Sequence, residues 1–152
     1  MHTKAIARIR CALILVPLLA FMSLAACTNA LQDIAKAEAA IPQAVTIVAN
    51  TSTQLVNTGA MTPEEGGKVA TILTDVINAN VRAVAATKAI ASLDPTSKAT
   101  ISQIVNPIIA EIQGAVTTGD VAQIKNPTAK IAITTALSAL STTLAIIQAK
   151  VI

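Results

Sequence analysis

Three dipeptides constrain this chain more than anything else in it. Thr62-Pro63, Asp94-Pro95 and Asn126-Pro127 follow one another at intervals of 32 residues. Thr, Asp and Asn can accept hydrogen bonds from the free amides at a helix start, and Pro suits the first helical position. Each pair therefore reads as the opening of a helix. At plus 7, 11 and 14 from each cap stand Val69, Leu73 and Val76, then Ile101, Val105 and Ile108, then Ile133, Leu137 and Leu140. This three–four spacing puts one apolar stripe on one face of each helix. The equal spacing is open to two readings. An internal repeat would suggest a solenoid, but known helical solenoids place two helices in such a period. Here one long helix fills it, as equal-length helices of a single bundle require, and an ancient duplication is compatible with a bundle.

The remaining segment boundaries follow from local chemistry. A first helix is expected from Ala30, with Leu31, Ile34, Ile41, Val45, Val48 and Leu55 as its stripe and Glu38 and Ser52 filling the missing steps. Pro42 lies inside this run, removes one amide donor and crowds the Glu38 carbonyl, so a kink or break is expected there. Gly59 supplies the stop. In the second helix, Glu65 stands three residues after Thr62 and completes a capping box. Pro107 should bend the third helix, and Gly119 should end it. The last helix carries an unbroken stripe from Ile133 through Leu144 and Ile147 to Val151, typical of bundle packing. β-Branched residues are abundant and are poor helix formers, but burial of an apolar face outweighs propensity. The expected fold is all-α, an up-down bundle of about four long helices after an N-terminal signal helix. Their expected spans are about 30–57 with a kink at Pro42, 62–92, 94–118 and 126–151. A helix of 25 residues is about 38 Å long, which sets the height of the bundle.

The first 26 residues differ from the rest. Lys4, Arg8 and Arg10 precede an apolar run from Cys11 to Leu24, and small residues follow. That is the layout of a secretory signal, and the run is short for a membrane span. Leu24-Ala25-Ala26-Cys27 resembles the lipobox of bacterial lipoproteins. The resemblance covers only the signal. It implies cleavage before Cys27, a thioether-linked diacylglycerol on its sulfur and acylation of the new amino terminus. Two other readings keep export: ordinary cleavage after Ala25 or Ala26, and retention of residues 5–26 as an anchor. In two-membrane bacteria the residue after the acylated Cys influences sorting. Thr28 there, rather than Asp, implies the outer membrane, and in a host with one membrane the plasma membrane. The expected organisation is a signal peptide at 1–26 and a single domain at 27–152.

Removing the signal changes the composition decisively. The three bases in the signal account for the entire net charge of +3, so the domain is neutral, with eight bases and eight acids. A neutral domain lacks the electrostatic footprint of nucleic-acid binding. The signal also holds the only His (His2), the only aromatic residue (Phe21) and the second cysteine (Cys11). What remains has no His for general-base or metal-ligand duty, no Cys–His pair, no Ser-His-Asp triad and no possible internal disulfide. Gly66-Gly67-Lys68 looks like the end of a phosphate loop, but Val69 stands where Ser or Thr is needed. Glu64 and Glu65 suit a helix N-terminus, and Glu64 and Lys68 are spaced as a surface pair. Asp75, Asn78 and Arg82 should share the polar face of the second helix. Glu111 is either exposed or a buried partner for Arg82.

These readings predict no catalytic residues, no metal, no cofactor and no nucleic-acid partner. They predict a membrane partner through lipid on Cys27, with a protein partner or self-association possible through an aliphatic surface. The expected role is that of a non-enzymatic interaction or structural protein of the cell envelope. The competing reading is a membrane-active pore or lysis protein using the apolar segment 131–152.

Overall fold

A computed structural model describes residues 30–152. They form four α-helices and, among the described residues, no strands: α1 (Ala30–Asn57), α2 (Pro63–Ala89), α3 (Pro95–Thr117) and α4 (Pro127–Val151). Each helix packs on the next, and α4 closes the circuit against α1. The architecture is therefore the up-down-up-down bundle that the cap spacing and stripes lead one to expect. The lower end gathers the start of α1, the α2–α3 loop and the end of α4. A Lys150–Asp33 ion pair at 2.8 Å joins the first and last of these.

The caps work as the sequence implies. Thr62 accepts the Glu65 amide at 3.1 Å, and Glu65 returns its carboxylate to the Thr62 amide at 2.7 Å. Asp94 accepts the Ser97 amide at 2.8 Å, and Asn126 accepts those of Thr128 and Ala129. Gly59, at φ 72°, turns the chain out of α1. The Gly59 and Ala60 amides then return to the Val56 and Leu55 carbonyls, closing a Schellman motif. All nine residues at plus 7, 11 and 14 from the three caps are buried.

Two expectations are narrowed. Of the kink or break expected at Pro42, the break does not occur: α1 runs on through Pro42, as α3 does through Pro107. And α2 ends at Ala89 rather than 92, because Ile90 already has extended backbone. The segment 118–126 is more than a link. Its Val121 and Ile124 are buried, so it seals the upper end of the core. Three polar contacts hold it. Lys68 pairs with Asp120 at 3.2 Å, the Lys125 amide donates to Glu65 Oε1 at 3.1 Å, and Lys130 Nζ donates to the Ala122 carbonyl. Glu65 thus serves its own cap amide, at Thr62, and one 60 residues further along the chain, at Lys125.

Candidate functional site

Cys27 and the lipobox residues Leu24, Ala25 and Ala26 lie outside the described residues, as does the expected signal helix. The buried polar side chains among the described residues, Glu38, Ser52 and Asn80, belong to α1 and α2 and gather in the seam between them.

That seam is set up by Pro42. A proline has no amide hydrogen, so the carbonyl four residues earlier, that of Glu38, loses its helical partner. Asn80, reaching across from α2, donates its Nδ2 to this carbonyl at 3.3 Å. The helix continues through the proline with its broken rung repaired from outside. Asn80 is buried to do this, and its Oδ1 is left with no hydrogen-bond partner.

The side chain of Glu38 lies at the same place. It is 3 % exposed, and its Oε1 accepts a hydrogen bond from Thr87 Oγ1 at 2.7 Å. Burial pushes the carboxyl above its ordinary value. The Thr87 hydroxyl and the charge of Lys88 pull the other way without reversing the shift. Charged groups are rarely buried without full pairing because desolvation disfavours the charged form. Glu38 has one neutral donor and a nearby lysine.

Above this cluster the same seam carries a shallow groove of about 270 Å³. Ala49, Ser52 and Val56 of α1 and Gly66, Val69 and Leu73 of α2 contribute to its walls. Gly66 lets the helices approach closely: a Cβ there would stand 2.7 Å from Val56 Cγ2. Ser52, the second polar residue placed in the α1 stripe from sequence, is buried at the groove.

The other polar candidates are on the surface. Asp75 is half-buried, whereas Asn78 and Arg82 are exposed. Glu111 is exposed too. Its carboxyl is raised by desolvation and by the neighbouring Asp75, so its counterpart across the α2–α3 seam is an acid rather than Arg82. Glu64 and Lys68 pair at 3.8 Å on the surface. Among the described residues no group of three or more His, Cys, Asp or Glu side chains could hold a metal ion.

The class that these features define, for the described residues, is an all-α four-helix bundle with a buried polar cluster. Comparison of the chain with models of protein families, with curated proteins and with solved structures finds no match.

Proposed function

We propose that this chain is an exported lipoprotein of a bacterial envelope, held to the membrane through acyl chains on Cys27. On this reading the helical domain serves as a non-enzymatic interaction or structural unit. The observation that carries the reading is Leu24-Ala25-Ala26-Cys27 at the end of a basic-then-apolar leader. The first described helix begins at Ala30, three residues after Cys27. This leaves little linker, and an anchored bundle would stand close to the bilayer. A single acyl chain binds membranes only marginally, and stable attachment takes more than one. The acylated cysteine of a lipoprotein meets that requirement, and Thr28 favours the outer membrane where the host has one. Mass spectrometry of the mature protein tests the proposal. The expected amino terminus is Cys27 carrying diacylglycerol and an amide-linked acyl chain. An unmodified Cys27, or a chain still starting at Met1, would overturn it.

A second reading, a pore or lysis factor, draws on two helices. Pro63–Ala89 and Pro127–Val151 are long and apolar enough to cross a membrane, with mean hydropathies of 1.2 and 1.6 over their most apolar windows. Against it, α4 commits Ile133, Leu137, Leu140, Leu144 and Ile147 to the bundle core. Separation comes from a Cys27→Ser variant. The lipoprotein reading expects this variant to be released in soluble form, whereas a membrane-spanning α4 would keep it in the membrane fraction.

A further inference from the structure

The cluster at Pro42 has features that a merely structural patch does not need. Pro42 removes a rung from α1, Asn80 replaces it from α2, and a carboxyl side chain is buried one turn before the proline. Each of the three makes the hold of α1 on α2 depend on polar contacts across the seam.

We propose that Glu38, with Thr87 and Asn80, forms a proton-operated latch between α1 and α2: a proton on Glu38 fastens the seam, and its loss loosens it. The geometry gives the mechanism. Glu38 is the one ionisable side chain among the buried residues described. Neutral, it can sit in the apolar seam while still accepting the Thr87 hydrogen bond. Ionised, it keeps that bond but puts a charge where little water reaches, and relief comes from parting the helices enough to admit more.

The charged groups around it do not cancel this. On α2, Lys88 is exposed and lowers the cost only in part. Arg82 is exposed as well. On α4, Lys150 is held by Asp33 of α1 at 2.8 Å, and Lys36 on α1 itself is exposed. The latch is a property of the bundle and holds whether or not Cys27 carries lipid.

The sign follows from linkage. A carboxyl whose folded value lies above its unfolded value binds its proton more tightly in the folded state. Stability is therefore highest below the ordinary glutamate value and falls as pH rises through the window up to the raised one. Opening becomes about tenfold more favourable for each pH unit that this window spans.

The test uses the full chain in detergent micelles, compared with Glu38→Gln, which keeps the shape and cannot ionise. Amide hydrogen exchange is measured from about pH 4, near the ordinary glutamate value, to about pH 8, and expressed as protection factors. In the unaltered protein, protection of residues 36–46 and 79–88 should fall as pH rises, while the α3–α4 seam stays constant. In Glu38→Gln that fall should vanish. The same pH dependence in both proteins, or a uniform change across all four helices, overturns the proposal. Should Glu38→Gln fail to fold, titration of the Glu38 side-chain carboxyl by carbon NMR in the unaltered protein decides. A midpoint at or below the ordinary glutamate value overturns the latch, and a raised one with seam amides shifting in parallel supports it.

Discussion

Helix α1 makes two seams, and they are built from different chemistry. Toward α4 it meets a helix whose buried positions, Ala129, Ile133, Leu137, Leu140, Leu144, Ile147 and Val151, are all apolar. A Lys150–Asp33 ion pair ties that side together at the lower rim. Toward α2 the same helix presents a buried carboxyl, a carbonyl freed by proline and a groove walled by small residues. The first seam gains from area removed from water, which is indifferent to pH. The second adds to its apolar contacts polar groups that must be satisfied one by one, and a single missing partner there costs more than a typical contact gains. One helix can thus be held firmly on one side and conditionally on the other.

The sharpest break of this comparison is a cavity on the firm side. Leu137 is fully buried at mid-height of α4. Leu137→Ala should lower unfolding free energy by about 2–5 kcal/mol, as large-to-small core changes do. Urea denaturation followed by far-UV circular dichroism measures it. Ser52→Ala, at the α1–α2 groove, should cost far less. If the two costs were alike, the contrast between the seams would be lost.

The next effect isolates the repaired rung. Asn80→Ala strands the Glu38 carbonyl, a loss of about 1–3 kcal/mol for a buried unsatisfied group. It also removes the unpartnered Oδ1, which returns part of that, so the net should fall toward the low end. Pro42→Ala restores an amide donor within α1. In the Pro42→Ala background Asn80→Ala should therefore cost less than it does alone. A double-mutant cycle measures the difference, and strict additivity would show that Asn80 does not stand in for the missing amide.

These effects mark how far the sequence could be read. Caps and stripes were legible because each is a local pattern, settled within one or two turns. The places of Glu38 and Ser52 in the buried stripe of α1 followed from the same periodicity. Asn80 was not legible as the partner of a proline-freed carbonyl. That role depends on which residue of α2 comes to lie against Pro42, and so on how two helices register. Val121 and Ile124 stood in a segment too short to show a period, so their burial at the upper end was missed. The capping role of Glu65 was readable three residues from Thr62, whereas its bond to the Lys125 amide, 60 residues away, was not. Of the predicted site residues, Cys27 rests on its motif alone, since it lies outside the described residues.

Acidity should separate the polar groups from one another. Burial raises Glu38, so its contribution worsens as pH rises above the ordinary carboxylate value. Glu65 is lowered by the Thr62 and Lys125 amides, and Asp94 by the Ser97 amide and side chain. Their contributions are present above the ordinary carboxylate value and are lost as pH falls through their lowered ones. Stability should therefore peak in weak acid. Glu38→Gln should flatten the neutral side of that peak and leave the acid side alone. Urea midpoints across pH check this. An unaltered neutral limb would leave Glu111, whose carboxyl is also raised, as the group responsible.

The smallest effect asks how tightly the conditional seam is packed at its upper end. Gly66 lies in the first turns of α2, where Ala is favoured over Gly by about 1 kcal/mol in a helix interior. Its new Cβ would meet Val56 Cγ2 at 2.7 Å, closer than carbon atoms tolerate. Val56 has the groove beside it, since both residues line its walls. A rotation of the valine into that space costs rotamer strain, of order 0.5–1.5 kcal/mol when the angle leaves its well. The two terms nearly cancel, so Gly66→Ala should leave the urea midpoint almost unchanged. A clear gain would mean that Val56 moves aside freely, extending the looseness of the Glu38 region along the whole α1–α2 seam. A clear loss would mean that this seam is rigid above Ser52, confining its looseness to the turns around Pro42.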